Sequence, residues 1–422
     1  MTNETIILLT YYYHQELYHH RSLKYIKKSL GAYLPFDFYL YQPLQKIFAR
    51  VILYDYLERV VEIGIKAVNE EVITLVSKER PKYVLWTSWQ YDILPSTLDS
   101  IRSRGSIVVG WFFDDEWRFD SYSKWWGPYL DYCVTNAMEA VPKYEEIGAK
   151  AIHTVPNTGI TMERDWSKIT ERYDVSFIGS RFYADREQWI SELNHRNIPV
   201  HLLGEGWGGY VSFAEMLNIF QSSKINLSFS GTVQGPKRQL KGRMFQVCLA
   251  GGFLLTEYAP GLEQYFEFDK EIACFQTKEE MVDKIHYYLN HDAERRAIAQ
   301  AGWQRATSEY TSGHMVAKVF NQIKADVARR GKETKGLVPQ LRMPGQVRKR
   351  LSIYYFLWGR TFLEDNRQGL GKEALMLSMG SNRYNIRAWY YYMAGLAPVF
   401  LRPFLFRLYA IMEKLYGRYL QR

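Results

Sequence analysis

The chain has 422 residues, 47% hydrophobic and 23% charged, a composition that excludes a disordered protein. This length exceeds one ordinary hydrophobic core, so we expect two domains and an extension. The net charge is +9, and the three cysteines, Cys133, Cys248 and Cys274, form no CxxC pair. Their number and spacing argue against a disulfide framework or a structural zinc site. The first residues also lack the basic region and cleavage site of a signal peptide, which indicates a cytoplasmic protein.

The positive charge is concentrated at the end of the chain. Residues 329–422 contain 18 Lys and Arg and 5 Asp and Glu, a net charge of +13, which leaves −4 for the rest of the chain. The basic character therefore belongs to this tail and not to the body of the protein.

Short apolar runs alternate with amphipathic stretches, such as Tyr56–Lys78, through the first 158 residues. This alternation predicts a parallel sheet covered on both faces. The predicted strands are Ile6–Thr10, Tyr83–Thr87, Ile107–Phe112, Tyr132–Thr135 and Ala151–Thr154. A turn cluster at Pro156–Gly159 predicts a boundary, so we assign residues 1–158 to a first Rossmann-like domain.

Acidic residues and a histidine follow two of these strands. Asp114, Asp115 and Glu116 come just after Ile107–Phe112, where a carboxylate could act as general base on a substrate hydroxyl, cap a helix or pair with Arg118. His14 follows the first strand and either contacts substrate or packs within the fold. We predict Asp115, Asp114 and His14 as the catalytic candidates.

A second alternation of strands and helices occupies residues 159–328. It predicts another Rossmann-like domain that faces the first across a cleft, although a single flat α/β sheet is the alternative. The predicted strands are Asp174–Ile178, Val200–Leu203, Ile225–Ser228, Phe253–Thr256 and Ile272–Phe275. The predicted helices are Arg186–Asn194, Ser212–Gln221, Gly242–Ala250, Lys278–Asn290 and Asp292–Tyr310.

The strongest chemical signal is Lys241-Gly242-Arg243, which stands where a helix should begin. A helix N-terminus offers free N–H donors and the positive end of a dipole. Two cations and a glycine at that point predict a diphosphate site, although two solvated surface cations are the alternative. Gln246 lies one turn later and could face the same ligand.

Loops after other strands supply further ligand-binding candidates, because the carboxyl edge of a parallel sheet is where α/β proteins bind ligands. One such loop offers backbone N–H groups and a guanidinium, and another offers a tryptophan that could border a base pocket or fill a core. We predict that these loops contribute Gly179, Ser180, Arg181, Gly204, Trp207 and Glu257 to the same ligand site as Lys241, which is the donor site if the resemblance below holds.

The second half of the chain resembles the glycosyltransferase group 1 type domain of CgeB-like spore-maturation proteins. The shared pattern is Lys-x-Arg-x-Phe before Gly251-Gly252, then Leu-Leu-Thr, Pro-Gly-Leu-Glu and a YYLxHxxxR helix. The resemblance covers about residues 174–320. It extends more weakly to GWFFDDEWRFD and the Trp-Trp-Gly-Pro-Tyr that follows.

The resemblance implies a GT-B fold and a hexosyltransferase-type glycosyltransferase of polysaccharide or glycoconjugate biosynthesis. It implies a UDP- or GDP-type nucleotide-sugar donor in residues 159–328, with Gln246 at the ribose, and a glycan, protein or lipid-linked acceptor at the first domain. It also implies retention of anomeric configuration. Lys241, Arg243 and the helix dipole would neutralise the diphosphate, so no metal and no other cofactor is required.

Two positions depart from the family pattern. Relatives carry Glu where this chain has Gln246, and the first Glu of the Glu-x7-Glu motif of retaining relatives falls at Arg238. An amide can still bond ribose hydroxyls, but it lacks the charge. Two other functions therefore stay open, a non-catalytic sugar- or protein-binding scaffold and a nucleotide-sugar epimerase.

Residues 329–422 are predicted to form a basic, aromatic helical extension after a linker at Lys332–Arg350. The predicted helices are Ile353–Leu363, Gly371–Ser378, Ile386–Leu396 and Phe400–Leu420. No window has the 18 apolar residues of a membrane span. We expect this extension to pack on the body or contact a protein, with a peripheral membrane contact as the alternative. Motifs for nucleic-acid binding are missing, so we expect no nucleic-acid partner.

Overall fold

The structure is a computed structural model. It describes residues 2–10, 37–88, 90–155, 158–183, 185–209, 211–233, 236–330, 343–398 and 400–420. Within these ranges the chain forms two parallel β-sheets, one after the other in sequence, and helices cover both. The predicted boundary near residue 158 follows Pro156 and Asn157, which lie outside the described residues.

The first sheet has six parallel strands in the order β2-β1-β3-β4-β5-β6. The strands are β1 (Thr2–Thr10), β2 (Phe48–Asp55), β3 (Tyr83–Ser88), β4 (Ile107–Phe112), β5 (Tyr132–Thr135) and β6 (Ala151–His153). All positions of β3, β4 and β5 are buried, as their continuous apolar runs predict. Strand β2 was not predicted, because this edge strand exposes Ala49 and Arg50 and lacks the continuous apolar run of a buried strand.

The second sheet has five parallel strands in the order β11-β10-β9-β7-β8. The strands are β7 (Tyr173–Ile178), β8 (His201–Leu203), β9 (Ser223–Ser228), β10 (Leu254–Glu257) and β11 (Ala273–Phe275). The strand order reverses between β9 and β7, because the chain runs outward from these two central strands in opposite directions. The carboxyl ends of β9 and β7 therefore border a crevice in which sheets of this type bind ligands.

Helices connect the strands and cover the faces of both sheets. In the first half they are α1 (Gln42–Gln45), α2 (Tyr56–Ile63), α3 (Ile65–Glu79), α4 (Pro95–Ser103), α5 (Asp115–Arg118), α6 (Lys124–Trp126) and α7 (Val141–Glu146). In the second they are α8 (Arg186–His195), α9 (Phe213–Ser222), α10 (Gly242–Leu249), α11 (Lys278–Asn290), α12 (Asp292–Glu309) and α13 (Ser312–Arg330). Single π or 3₁₀ turns lie at Asp37–Tyr41, Phe119–Ser123, Gly127–Tyr129, Met138–Ala140 and Leu262–Gln264.

One predicted helix, Tyr56–Lys78, is two helices in the structure. Gly64 separates α2 from α3 with a φ of 85°, a backbone conformation that glycine adopts at little cost. A Cβ atom added to Gly64 would lie only 2.9 Å from the Cδ2 atom of Leu370 in the extension. A close approach of the extension therefore also favours glycine here.

The chain returns from the second sheet to the first. Helix α13, the last helix before the extension, packs Val316, Val319 and Phe320 against the apolar face of the first sheet. Tyr132 and Lys150, at the edge of that sheet, each bond the carboxylate of Asp326 on α13 at 2.9 Å. This helix therefore ties the two sheets together.

The extension contains four helices among the described residues: α14 (Gly345–Glu364), α15 (Gln368–Ser381), α16 (Ile386–Leu396) and α17 (Arg402–Leu420). Tyr355 and Trp358 on α14 belong to the same core as Tyr91 and Trp126 of the first half. The predicted linker overlaps the start of α14, because Val347 is buried in that core. None of the helices in the described part of the chain is both long enough and apolar enough to span a bilayer.

Candidate functional site

A cavity of about 270 Å³ lies where the carboxyl edges of the two sheets meet. The second sheet contributes the ends of β7 and β9 and the loops that follow them, at the point where the strand order reverses. The first sheet contributes residues that follow β4 and β5. The lining residues are Phe113, Asp114, Asn136, Phe177, Ile178, Gly179, Ser180, Tyr183, Arg186, Ser228, Phe229, Gln239, Leu240, Lys241, Gly242, Arg243 and Gln246.

Lys241 stands at the N-cap of α10, as the sequence predicts for a helix start. Its ammonium nitrogen is buried and has no hydrogen-bond partner among the described residues. Burial, with the neighbouring Arg186 guanidinium adding to it, lowers the pKa of Lys241 to about 7. A buried cation without a partner is costly unless an anion binds beside it.

Arg186 and Tyr183 form the wall beside Lys241, and neither was predicted for the site. The Arg186 guanidinium lies 3.9 Å from the centre of the Tyr183 ring, and the Lys241 ammonium lies 4.7 Å from the same centre. Arg186 also donates to the Ser180 carbonyl at 2.6 Å, and burial lowers its pKa to about 10. Two cations thus share one aromatic ring next to the free N–H groups of a helix.

Arg243 and Gln246 line the cavity from α10, but both side chains already contact protein groups. The Arg243 guanidinium lies 3.2 Å from the sulfur of Met216, and burial lowers its pKa. The Gln246 amide donates to the Tyr39 hydroxyl at 2.7 Å, a contact between the second and first halves of the chain. A ligand that uses the Gln246 amide would compete with Tyr39 for it.

Asp114 is the carboxylate that the first half of the chain contributes to the cavity lining. Its φ of 59° is in the left-handed region, which Asp and Asn tolerate better than most residues. Gln239, from the loop before α10, donates to the Oδ1 atom of Asp114 at 3.0 Å. The backbone N–H of Asp114 donates to the side-chain oxygen of Asn136 at 3.3 Å. Asp114 and Lys241 therefore approach the same cavity from opposite sheets.

Glu116 lies next to this cavity without lining it. Its Oε1 accepts from Asn136 at 3.2 Å, and its Oε2 is buried and has no partner among the described residues. Burial raises the pKa of Glu116 to about 8. The Lys237 ammonium donates to its carbonyl at 2.7 Å, which adds a further bond between the two halves.

Asp115 is placed in the interior of the first half and does not line the cavity. Its carboxylate accepts hydroxyl bonds from Ser123, from Thr135 at 2.7 Å and from Tyr144 at 2.8 Å. The residue is 1% exposed, and burial raises its pKa. Three donors thus hold Asp115 as part of the core, and this geometry separates it from its neighbour Asp114.

Four predicted donor-binding residues lie outside the cavity lining. Arg181 is exposed in an ion pair with Glu187 and stacks over Trp207 at 5.2 Å. Glu257 pairs with Arg238 at 2.6 Å, and the same guanidinium pairs with Asp185 at 2.8 Å. Gly204, another of the four, packs against the backbone of Gly179.

Gly204 lies directly behind Gly179, which does line the cavity. It has a φ of 111°, and a Cβ added to it would lie 2.4 Å from the Gly179 carbonyl oxygen. His14, the third catalytic candidate, lies outside the described residues. The predicted site residues that the structure brings together at the cavity are Gly179, Ser180, Lys241, Gly242, Arg243, Gln246 and Asp114.

Lining residues that were not among the predicted site residues include Tyr183, Arg186, Gln239 and Asn136. Arg186 follows a Gly-Ser turn at the start of a predicted helix, which was the available signal. Asn136 and Gln239 had no signal of this kind, because their role depends on contacts across the two sheets. No group of three or more His, Cys, Asp and Glu side chains suited to a metal occurs in the part of the chain that the structure describes.

Comparisons with known proteins agree with this geometry. Residues 186–321 match the family model described as "Glycosyl transferase-like", whereas no curated protein matches the chain. A glycosyltransferase from Rickettsia africae ESF-5 has a similar structure, with a TM-score of 0.50 and 10% identity over 78% of this chain and 100% of that one. The structural similarity and the two parallel sheets identify a GT-B fold, and the family-model match indicates a glycosyl transferase-like domain within it.

Two further solved structures are similar at lower scores. Anabaena HepE in complex with UDP has a TM-score of 0.48 and 10% identity, over 76% of this chain and 100% of that chain. A TarM mutant from S. aureus, in complex with fondaparinux, alpha-GlcNAc-glycerol and UDP, has a TM-score of 0.45 and 12% identity, over 60% of this chain. The match spans 58% of the TarM chain.

Proposed function

We propose that this protein is a nucleotide-sugar-dependent hexosyltransferase of the CgeB-like type and that the cavity between its two sheets holds the donor diphosphate. Residues 1–158 would bind the acceptor, and residues 159–328 would bind the donor. The observation that carries the proposal is the buried Lys241 ammonium, which has no partner among the described residues at the N-terminus of α10. A diphosphate would supply the missing partner, and helix N-termini favour phosphate groups.

The lining residues fit the departure of a nucleoside diphosphate. Sugar transfer breaks the bond between the anomeric carbon and the diphosphate oxygen, so negative charge grows on that oxygen. Lys241, Arg186 and Arg243 lie where they would stabilise this charge, and preorganised cations in a site with little water are effective for this purpose. Ser180 and the N–H groups at the start of α10 would add hydrogen bonds.

Asp114 is the carboxylate that we assign to the acceptor. It lines the cavity from the first sheet, and Gln239 holds its Oδ1 at 3.0 Å. A carboxylate there would orient an acceptor hydroxyl and receive its proton. The acceptor is a hydroxyl of a glycan, a protein or a lipid-linked sugar, and its oxygen would bond to the anomeric carbon as the diphosphate leaves. Because the proposed transfer retains the anomeric configuration, this oxygen would attack from the face that the diphosphate leaves, and the transfer needs no metal.

The experiment that tests the proposal is calorimetric binding of UDP, GDP, UDP-glucose and GDP-mannose to the full chain. We expect one of the two nucleotide classes to bind, and Lys241→Ala combined with Arg243→Ala to weaken binding at least a hundredfold, because each charge-assisted bond contributes about 1.5–3 kcal/mol. Arg181→Ala is the matched control, since Arg181 lies outside the cavity lining in an exposed ion pair. Unchanged binding in the double variant would refute the site.

The same binding assay, combined with product analysis, separates the other two functions. A scaffold would bind a sugar or a protein and turn over no nucleotide sugar, whereas an epimerase would convert the donor without an acceptor. Release of UDP or GDP only when an acceptor is added supports transfer. The anomeric configuration of the product, read by NMR, tests retention, and activity in the presence of EDTA tests metal independence.

A further inference from the structure

The last two helices expose two apolar stripes on their outer sides. Ile386, Trp389, Met393 and Leu396 recur every three or four residues along α16, which places them on one side of the helix. A second stripe has the same spacing from the turn before α17 onward, at Phe400, Phe404, Leu408 and Ile411. Their exposure ranges from 38% to 78%. Eight large apolar side chains in two such stripes exceed the scattered apolar residues of an ordinary surface.

Aromatic contacts on the opposite sides hold the two helices together. Tyr391 of α16 stacks on Phe406 of α17 with ring centres 5.0 Å apart, and the Tyr390 hydroxyl donates to the Leu405 carbonyl at 3.0 Å. Tyr390 also contacts Tyr409, which is buried, at 5.0 Å between ring centres. The buried sides of both helices are thus used for packing, and the stripes face away from it.

The charge beside these stripes has one sign. From Arg383 to Ile411 the sequence contains four arginines, Arg383, Arg387, Arg402 and Arg407, and no Asp or Glu. Arginines that flank an apolar helix face complement the negative surface of a bilayer that contains anionic lipids. Two copies of this face would bring arginines against arginines, which disfavours a second copy as the occupant.

We propose that the outer face of α16 and α17 binds the surface of a bilayer that contains anionic lipids. The apolar stripes would lie at the boundary of headgroups and acyl chains, and the arginines would contact lipid phosphates. Neither helix is both long enough and apolar enough to cross a bilayer, so both would lie in the plane of the interface. Because α14 is anchored in the core of the first half, this contact would hold the first sheet close to the membrane.

Cosedimentation of the full chain with lipid vesicles tests the proposal. One set of vesicles contains phosphatidylcholine alone, and the other contains phosphatidylcholine mixed with phosphatidylglycerol. We expect binding to the mixed vesicles that weakens as salt is added, because salt screens the arginine–phosphate attraction. Arg407→Ala should weaken partitioning about fivefold, the effect of one basic residue near an anionic surface.

Substitution of exposed apolar residues by aspartate, inside and outside the stripes, tests whether vesicle binding depends on the stripes or on any exposed apolar side chain. Phe404→Asp combined with Leu408→Asp should abolish vesicle binding, because charges cannot enter the acyl boundary. Ile353→Asp is the control, since Ile353 is 42% exposed on α14 and lies outside both stripes, and it should bind vesicles as the unmodified chain does. Calorimetric nucleotide binding, measured on the same samples, checks that each variant retains its fold and keeps this test separate from that of the proposed function.

Quenching of tryptophan fluorescence by lipids with brominated acyl chains provides a second measurement if the double variant fails to fold. The quenched signal should disappear in Trp389→Phe, because Trp389 lies in the α16 stripe. Absence of binding to phosphatidylglycerol vesicles would overturn the proposal, and so would an equal loss in Ile353→Asp. A dimer in analytical ultracentrifugation that Phe404→Asp disrupts, without vesicle binding, would assign this face to a second copy instead.

Discussion

Single residues at the cavity carry ionisation costs that the fold does not relieve. The pKa of Lys241 is lowered to about 7 and that of Glu116 is raised to about 8, in both cases chiefly by burial. Each has a polar atom that lacks a partner among the described residues. Groups of this kind in a cleft are typical of functional sites, where a ligand supplies what the protein leaves out.

Replacement of Lys241 by methionine should separate stability from binding. Lys241→Met keeps the apolar stem and removes the buried charge, so we expect the free protein to be more stable by about 1–2 kcal/mol at pH 7. The folded pKa lies below that of free lysine, so the cost of the charge is full at low pH and fades as the pH rises from 7 to 10. The gain should shrink over that range in thermal unfolding, and stabilisation by added nucleotide should vanish. A variant that loses stability at pH 7 would contradict the burial cost.

Glu116→Gln should show the opposite dependence on pH. Burial raises the folded pKa of Glu116 to about 8, above that of free glutamate. The ionised form therefore destabilises the fold, and this cost grows as the pH rises from the free pKa toward 8 and is full above it. The variant cannot ionise. Thermal unfolding should therefore give similar stabilities at pH 5 and a more stable variant at pH 9, provided the amide retains the Asn136 contact. A constant difference across this range would show that Glu116 does not titrate as described.

The neighbours Asp114 and Asp115 form a matched pair, because the same substitution should have different effects at each. Asp115→Asn turns an amide nitrogen toward hydroxyl donors and should cost about 1–3 kcal/mol of unfolding free energy, with nucleotide binding unchanged. Asp114→Asn keeps a residue that tolerates positive φ, so its stability should change by less than about 0.5 kcal/mol. Its transfer rate should fall about 10²–10⁴-fold. Denaturant unfolding and initial rates measure the two effects, and a reversed pattern would exchange the roles that we assign.

At the scale of elements, strand ends and one helix start build the site. The loop after β7 supplies Gly179 and Ser180, and α10 supplies Lys241 and Arg243. The close approach of Gly204 to the Gly179 carbonyl sets the position of the first loop. A glycine also permits close packing between two helices of the extension. A Cβ on Gly359 would lie 2.5 Å from Leu375 and 3.0 Å from the Gly371 carbonyl oxygen.

Gly204→Ala should destabilise the protein and displace the loop that carries Gly179. The new methyl group meets a backbone oxygen at 2.4 Å, and the φ of 111° is strained for alanine, so we expect a loss of about 2–3 kcal/mol and weaker nucleotide binding. Gly209→Ala is the control, because Gly209 has a φ of 97° but no atom within 4 Å of its Cβ. It should lose about 1 kcal/mol and bind nucleotide normally. Equal binding losses in both variants would implicate backbone strain rather than the contact with Gly179.

At the scale of the whole molecule, contacts between the halves close the cleft. Gln239 reaches Asp114, Gln246 reaches Tyr39, and Lys237 reaches the Glu116 carbonyl. The extension also shares a hydrophobic core with the first half of the chain. The Tyr354 hydroxyl of α14 donates to the buried Asp92, and burial raises the pKa of Asp92 to about 6.

Two tryptophans of the extension should therefore respond differently to the same substitution. Trp358→Ala opens a cavity in the core that the extension shares with the first half, and we expect it to cost about 3–5 kcal/mol. Trp389 is 47% exposed and donates one bond to the Arg383 carbonyl, so Trp389→Ala should cost about 1 kcal/mol. Thermal unfolding compares them, and a small effect of Trp358→Ala would mean that the extension folds independently of the body.

Local pattern was enough to predict much of this protein. Apolar runs predicted ten of the described strands, because strands within a sheet that is covered by helices are rich in apolar residues. The start of α10 at Lys241-Gly242-Arg243 was also predicted, because a glycine and two cations before an amphipathic run mark a helix start that favours anions. These features depend on residues that are near one another in the chain.

The tertiary structure alone decided which neighbours act together. Asp114 and Asp115 look alike in sequence, yet the turn after β4 directs one into the cavity and the other among three hydroxyls. Arg186 and Gln239 line the cavity because the fold brings together segments that are far apart in the chain. The packing of α13 on the first sheet depends on the same kind of long-range contact. Sequence pattern determined the elements because it reports local burial. The lining of the site was decided only by folding, because it depends on distances between elements that no local pattern records.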